Sequence, residues 1–408
     1  MMGRLWSNID VGLLGGVILI SCIGVLVIFS ATHSSASGAE RLLYQKQILW
    51  LVIGFAGLAL ISVIPHRIFY ALSYVLYLLA LLSLLGLFFA PASVSEAKRW
   101  YSLGPISIQP SEMAKIATVF AVARFLSTRK IERGKLIDIF VPIVMVAVPA
   151  LLVLRQPDLG TALVFVAVLF PVLYWSGLGL DKLFFLVSPV INMLFSFNWI
   201  AWTCFMLLLF GLLYGVKPRP SVIGAVVIIN IVVGLLTPYL WKNVLHEYQR
   251  RRVIAFVNPE QDPLGMGYQV IQSKVAIGSG GFLGKGFLDG SQTKLDFLPK
   301  QHTDFIFAVV GEEFGFLGSV SILLLFGLII YRGIRIAASV RNSYASLVAI
   351  GIVSIFVFHV LVNIGMALGI MPVVGMPLPF LSYGGSSLLL SLSMIGLLLN
   401  IWSRRYAY

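Results

Sequence analysis

Long uninterrupted runs of apolar residues recur along the chain, and they restrict its fold more than any other feature. The chain is 59% hydrophobic and only 11% charged, whereas about 25% of the residues in a soluble domain are charged. A helix needs about 20 mostly apolar residues to cross a bilayer. The sequence therefore predicts an all-α polytopic integral membrane protein, with residues 1–408 in a single membrane domain. The candidate spans are 11–31, 48–64, 69–90, 110–127, 137–154, 158–175, 183–197, 199–216, 221–241, 305–331, 344–370 and 386–402.

The number of crossings depends on one ambiguous stretch. Asn198 is almost the only break between the segments 183–197 and 199–216. These segments could form one long bent helix or a tight hairpin. We therefore favour twelve crossings, with ten or eleven as alternatives.

Positively charged residues indicate the orientation, because Lys and Arg concentrate in short cytoplasmic loops. With twelve crossings, the basic loops 128–136, 216–220 and 332–343 all fall on one side, together with the C-terminus. The outer side then receives the segment 242–304, which we predict to be a long extracytoplasmic loop that carries the active site. The net charge of +13 is explained by this asymmetry and by anionic lipid headgroups, so nucleic acid is not an expected partner.

Several ionisable residues lie within or beside the apolar segments, where charges usually face a bundle interior or a watery cavity. Glu112 and Lys115 share one face of a predicted helix and form either a structural ion pair or part of a substrate cavity. Asp158 begins another span, as a helix cap or as a binding group. Glu312 and Glu313 are expected to be structural or cavity-lining.

The predicted outer loop contains three groups of polar residues. A glycine-rich run at 278–290 allows close backbone approach, so it is either a phosphate-binding nest with Lys285 or a flexible surface loop. Arg250 and Arg251 suit a pyrophosphate group, or lipid headgroups in general. Asp304 is either the N-cap of the next helix, which spacing alone favours, or a general base at the membrane boundary. No His, Cys, Asp or Glu spacing predicts a metal site.

Four blocks of the sequence, taken together, resemble the SEDS family (shape, elongation, division and sporulation). They are the runs 97–117, 155–162, 258–315 and 363–387. The wording "LPKQHTDFIFAVVGEE", which ends at Glu313, favours the elongation branch over the division branch. The chain departs from the usual ten-span pattern of the family between 176 and 241, where we expect extra spans.

This resemblance implies a peptidoglycan glycosyltransferase of the bacterial cytoplasmic membrane. Such proteins polymerise lipid II, a disaccharide-pentapeptide on an undecaprenyl pyrophosphate carrier, and they work with a class B penicillin-binding protein. The resemblance places the essential loop carboxylate at Asp304 and the salt-bridged pair at Glu112 and Lys115. It places further site residues at Trp100 and Asp158.

The implied reaction transfers the growing chain from its pyrophosphate to the sugar 4-hydroxyl of incoming lipid II. Asp304 would remove the hydroxyl proton, and cations would stabilise the leaving pyrophosphate. We expect His302 and Ser382 to contact the substrate. No cofactor is certain, although a divalent cation, Mg or Mn, could bridge the pyrophosphate and a carboxylate. The expected pyrophosphate contacts are Arg250, Arg251, Lys274 and Lys285.

Two other functional classes fit parts of the sequence. A flippase or transporter for a lipid-linked cell-wall precursor also has many spans and buried charges. It needs polar residues on both faces, whereas here they concentrate on the predicted outer face. A scaffold that only anchors the transpeptidase would tolerate replacement of Asp304.

Overall fold

The computed structural model describes residues 9–33, 38–89, 99–103, 106–129, 136–243, 247–261, 265–295 and 297–405. These ranges are mostly helical, and they contain one antiparallel hairpin of β1 (Tyr101–Leu103) and β2 (Ile106–Ile108). The helices are α1 (Val11–His33), α2 (Gly38–Arg41), α3 (Leu43–Val63), α4 (His66–Phe89), α5 (Pro110–Ser127), α6 (Leu136–Leu154), α7 (Leu159–Trp175), α8 (Leu180–Phe195), α9 (Trp199–Val216), α10 (Pro220–Asn243), α11 (Glu247–Val257), a 3-10 turn (Pro259–Gln261), α12 (Met266–Ser279), α13 (Ser291–Lys294), α14 (Ile306–Ser339), α15 (Ser343–Ala367) and α16 (Gly385–Ser403).

Each predicted span coincides with one of these helices, which confirms the all-α polytopic class. Among the described residues, nine helices are long and apolar enough to cross a bilayer, and α7 is a shorter apolar helix. Helix α5 is more polar because it contains Glu112, Lys115 and Arg124. Most of its residues are buried by neighbouring helices, so its charges need not face lipid. The number of crossings stays a prediction.

The segments on either side of Asn198 form two separate helices, α8 and α9, and not one bent helix. Asn198 is the N-cap of α9, and its Oδ1 accepts hydrogen bonds from the N–H groups of Ile200 (2.9 Å) and Ala201 (3.2 Å). The side chain thereby satisfies two amide groups that a helix start leaves without intrahelical partners. Asn198 is therefore a helix start, which favours the hairpin alternative.

The chain divides into two compact units, Met1–Ser176 with Ala255–Tyr408, and Gly177–Ile254. In the first unit, α15 is the most deeply buried of the candidate spans and packs against α5, α7 and α14. Helix α16 packs along α3, and α1 packs along α14. The second unit contains α8, α9 and α10, which are the spans expected between 176 and 241.

The second unit has its own apolar core and a buried polar contact between α8 and α10. Asn192 Nδ2 donates to Asn230 O at 2.6 Å, and Asn230 Nδ2 donates to Ser188 Oγ at 2.9 Å. Hydrogen bonds of this kind hold membrane helices together. The buried core residues are Phe185, Phe205, Met206, Leu209 and Leu213.

The segment 242–304, predicted as a long loop, is largely helical where it is described. Helix α12 packs against α14, and the glycine-rich stretch after α12 packs on a break in α14. The break is at Gly315, whose φ is 62°. A Cβ at Gly315 would lie 2.3 Å from Gly284 N, so only glycine permits this close approach of the two backbones.

Candidate active site

Asp304 lies in the turn that leads into α14. The N-cap of this helix is Phe305, which forms no side-chain capping bond, so the N-cap alternative for Asp304 is wrong. The N–H groups of Thr303 and Phe305 donate to Lys300 O at 3.1 and 3.4 Å, and these bonds close the turn. The side chain of Asp304 is half-buried. A carboxylate is therefore held at the entrance of a long apolar helix.

The segment 373–382, between α15 and α16, packs against the Asp304 turn. The fully buried Asn363 of α15 donates from Nδ2 to Asp304 O at 2.9 Å and to Met376 O at 2.7 Å. At Gly375, whose φ is 72°, a Cβ would lie 3.4 Å from Asp304 Oδ2. The backbone at Gly375 thus borders the carboxylate itself.

His302 and Ser382, both predicted substrate contacts, adjoin the same turn. Ser382 Oγ donates to Thr303 O at 2.6 Å, and the N–H of Tyr383 donates to His302 O at 2.9 Å. The rings of His302 and Tyr383 lie 6.2 Å apart. Burial raises the pKa of the Tyr383 phenol, so at neutral pH it remains a neutral hydroxyl group.

Replacing Gly375 with Ala should weaken the site more than the fold. A non-glycine residue at positive φ costs roughly 1–2 kcal/mol, and the new methyl group would touch Asp304 Oδ2. We expect kcat to fall roughly tenfold, which corresponds to about 1.4 kcal/mol, in an assay of the glycan polymerisation that the family resemblance implies. The matched control is Gly177→Ala, because Gly177 has φ of 105° and open space around it. Equal losses of activity in both variants would contradict this expectation.

Asp158 caps α7 and is mostly buried. Its Oδ1 accepts from Thr161 N at 3.1 Å, and its Oδ2 accepts from Thr161 Oγ1 at 2.9 Å and from Gln109 Nε2 at 3.2 Å. Close to this cap, a Cβ at Gly160 would lie 2.9 Å from Val374 O. The start of α7 and the Asp304 turn therefore border the same segment, 373–382.

Trp100 lies near the start of α7. The preceding Arg99 donates from Nε to Gln156 O at 2.8 Å, and the following Tyr101 donates from its hydroxyl to Ser83 O at 2.9 Å. These bonds hold Trp100 between two fixed neighbours, with 39% of the residue exposed. Its indole can therefore contact a ligand.

Glu112 and Lys115 form a buried ion pair, with Lys115 Nζ 2.7 Å from Glu112 Oε1. Lys115 Nζ also lies 3.3 Å from His359 Nε2, and His359 Nδ1 lies 3.1 Å from Pro377 O. An ammonium group only donates, so Nε2 accepts and Nδ1–H donates to Pro377 O. The ion pair is thus connected through His359 to the segment beside Asp304.

Glu312 is a fully buried carboxylate that binds the glycine-rich stretch and the following helix α13 to α14. Its oxygens accept five hydrogen bonds, four of them from residues 291–293 and the fifth from Lys285. At Gly290 a Cβ would lie 2.7 Å from Glu312 Oε2, so the carboxylate fits only against glycine. The donors are Lys285 Nζ (2.8 Å), Ser291 Oγ (3.2 Å), Gln292 N (2.9 Å), Thr293 N (3.2 Å) and Thr293 Oγ1 (3.0 Å).

Two amide groups of the glycine-rich stretch point at carbonyl groups of α14. The N–H groups of Lys285 and Gly286 donate to Glu312 O and Glu313 O, both at 3.0 Å. These bonds fasten the stretch to α14 and occupy two of its amide groups. Glu313 is also buried, and its Oε1 accepts a hydrogen bond from Ser30 of α1, consistent with the predicted structural role.

The other predicted cations differ in what surrounds them. Lys274 is exposed on α12 and lies over Gly369, where a Cβ would be 2.7 Å from Lys274 Nζ. Arg250 belongs to the second unit and donates to Lys242 O. The side chain of Arg251 lies outside the described part of the structure. No group of three or more His, Cys, Asp or Glu side chains that could hold a metal ion occurs among the described residues.

The sequence patterns did not single out Asn363 and His359. Their hydrogen bonds connect α15 to the Asp304 turn and to the segment 373–382. Both are polar residues inside an apolar span, and they stand four residues apart on one face of α15. That pattern was the available signal, because polar groups within a membrane helix usually face protein.

Comparisons with known proteins cover almost the whole chain. The FtsW/RodA/SpoVE family model, described as a cell cycle protein, matches residues 12–208 and 201–407. The chain belongs to this family. The match confirms the resemblance to the SEDS family.

Full-length relatives of this family member carry the same enzyme name. The peptidoglycan glycosyltransferase MrdB of Escherichia coli (strain K12) is 37% identical over 401 residues, which cover 98% of this chain and 95% of that protein. The peptidoglycan glycosyltransferase RodA of Treponema pallidum (strain Nichols) is 33% identical, with 98% of each chain covered.

Solved structures of similar proteins share the fold of this family member. A chain from a peptidoglycan synthase complex, described as coordinating polymerization and crosslinking, matches with a TM-score of 0.73 and 32% identity. That match covers 98% of this chain and 99% of the other. The rod shape determining protein RodA of Thermus thermophilus matches with a TM-score of 0.64 and 27% identity, over 98% and 99% of the two chains.

Proposed function

We propose that Asp304 is the general base of the glycosyl transfer that this chain catalyses as a peptidoglycan glycosyltransferase of cell elongation. The activity rests on the family and on full-length relatives of that name. The role of Asp304 rests on one observation, namely that its half-buried carboxylate borders the backbone of Gly375 at the entrance of α14. A lipid carrier could stay in the bilayer there while its sugar reacts at the surface.

In the proposed reaction, the 4-hydroxyl group of incoming lipid II attacks the anomeric carbon of the growing chain. Asp304 accepts the hydroxyl proton as the new glycosidic bond forms. The bond to the undecaprenyl pyrophosphate breaks at the same carbon, and the pyrophosphate leaves with the bonding electrons. A positioned base contributes typically about 10²–10⁴-fold to such a step.

The remaining predicted residues fall into proposed sugar contacts and proposed pyrophosphate contacts. We propose that Trp100, Asp158, His302 and Ser382 border the sugar-binding region. Lys274 and Lys285 are proposed pyrophosphate contacts, although Lys285 must share its charge with Glu312. Arg250 and Arg251 remain proposed contacts on sequence grounds alone. A divalent cation would have to rely on pyrophosphate oxygens for most of its ligands, because no cluster of protein ligands accompanies Asp304 among the described residues.

The proposal also includes the orientation of the chain in the membrane and its protein partner. Within the first unit, the basic residues of 332–343 and Arg404 lie at helix ends opposite to Asp304, so the positive-inside rule favours the outer face for the Asp304 end. We propose that both units form one membrane domain and that the chain binds a class B penicillin-binding protein. Support comes from the similar chain of the solved peptidoglycan synthase complex.

Polymerisation of purified lipid II tests the function. The wild-type chain, incubated with its class B partner, should produce glycan strands, and Asp304→Asn should produce them about 10²–10⁴-fold more slowly while binding the partner normally. Asp289→Asn is the control, because Asp289 is an exposed carboxylate in the same outer segment. Transport of lipid II across vesicles without polymer formation would favour a flippase. Full polymerisation by Asp304→Asn would contradict the role of Asp304.

A further inference from the structure

We propose that Asn363 and His359 of α15 are positioning residues that hold the segment 373–378 against Asp304 and thereby fix its carboxylate for catalysis. This inference rests on the proposed role of Asp304. Both side chains are buried, at 0% and 4% exposure, so neither is placed to contact a bulky substrate. Both act on main-chain carbonyl groups that flank the carboxylate.

Asn363 joins the two chain segments through one nitrogen atom. Its Nδ2 carries two hydrogens, and they are directed to Asp304 O (2.9 Å) and Met376 O (2.7 Å). Both neighbours are carbonyl oxygens, which only accept, so the amide group cannot be reversed without losing both bonds. Asn363 therefore fixes the separation between the Asp304 turn and the backbone next to Gly375.

His359 adds a second attachment one helical turn earlier. Its Nδ1–H donates to Pro377 O at 3.1 Å, the carbonyl next to that of Met376. Lys115 Nζ, at 3.3 Å from Nε2, favours this tautomer because an ammonium group needs an acceptor. The buried ion pair of Glu112 and Lys115 thus affects the site by fixing the tautomer and orientation of the imidazole ring.

The two attachments leave the segment little freedom. Gly375 directly precedes the two residues whose carbonyl groups are held, and a Cβ at Gly375 would lie 3.4 Å from Asp304 Oδ2. A shift of the segment would displace the backbone that borders the Asp304 carboxylate. Misplacement of a reacting group by about 1 Å can lower a rate about 10²-fold, so loss of an attachment should appear in kcat.

Asn363→Leu tests the inference against a matched control, Asn400→Leu. Asn400 is a buried amide of α16 whose Nδ2 likewise donates to main-chain carbonyl groups, here Ile61 O (2.9 Å), Ser62 O (2.8 Å) and Ile64 O (2.5 Å), at the helix ends opposite to Asp304. Both variants should lose thermal stability. Only Asn363→Leu should lower kcat, by about 10²-fold, with KM for lipid II unchanged. Equal kcat in the two folded variants would overturn the inference.

Two replacements of His359 distinguish a hydrogen-bonding role from a packing role. Asn places its amide nitrogen near the position of Nδ1, whereas Gln places it near Nε2. We expect His359→Asn to retain most of kcat and His359→Gln to lose it, although Gln is closer to His in volume. The reverse order would overturn the proposed bond to Pro377.

Asp304→Asn, assayed beside these variants, distinguishes a failure of the positioning role from a failure of the proposed base. An inactive Asp304→Asn together with a fully active Asn363→Leu would overturn positioning and leave the base intact. Full activity of Asp304→Asn would overturn the role of Asp304, and the inference would fall with it.

Discussion

Replacing Glu312 with Ala should destabilise the protein by about 2–6 kcal/mol, because two buried donors of Thr293 lose their acceptor at about 1–3 kcal/mol each. Lys285 would lose its counter-ion, and the donors at Ser291, Gln292 and Thr293 would lose their acceptor. The glycine-rich stretch should then separate from α14. Thermal unfolding in detergent and limited proteolysis between residues 280 and 295 measure both effects.

The matched control lies in the same stretch. Asp289 and Lys294 form an exposed ion pair at 2.7 Å, and exposed pairs contribute only about 0–1 kcal/mol. Asp289→Ala should therefore unfold close to the wild-type temperature and resist protease equally well. If Glu312→Ala behaves like Asp289→Ala, Glu312 does not anchor the stretch.

Single replacements in the ion pair of Glu112 and Lys115 should have the second largest effect. Lys115→Met leaves a buried carboxylate without its partner, and Glu112→Gln leaves a buried ammonium group, so each should lose about 3–5 kcal/mol. The double variant Glu112→Gln/Lys115→Met removes both charges. It should recover most of the lost stability, because replacing a whole buried pair is often nearly neutral.

Activity of the double variant distinguishes the two roles left open by the sequence. If the pair only stabilises helix packing, the double variant, once its stability is recovered, should polymerise lipid II at the wild-type rate. If the pair acts on the site through His359, kcat should stay low although the protein is stable. We expect the second result. A stable and fully active double variant would assign the pair to packing alone.

Local sequence patterns were sufficient to predict the helices. Apolar runs of membrane length place the spans, since length and hydropathy are properties of one segment. Even the ambiguous stretch at Asn198 follows a local rule, because a capping side chain bonds to amide groups two and three residues ahead. Helix α5 is the instructive exception, because its charges are tolerated only through burial by other helices.

The interior of the site could not be predicted in the same way, because its contacts join distant parts of the chain. Lys115 and His359 are 244 residues apart in sequence, and Asn363 and Asp304 are 59 residues apart. The glycine-rich stretch shows the same difficulty. Its composition fits a phosphate nest, yet the amide groups of Lys285 and Gly286 donate to main-chain carbonyl groups of α14.

The decisive measurement is single-turnover glycan formation from purified lipid II by wild type and by Asp304→Asn, each with its class B partner and with lipid II binding measured in parallel. A general base acts on the chemical step and not on binding. We therefore expect Asp304→Asn to bind lipid II as tightly as wild type and to form the glycosidic bond about 10²–10⁴-fold more slowly. Bond formation at the wild-type rate would show that Asp304 is not the base.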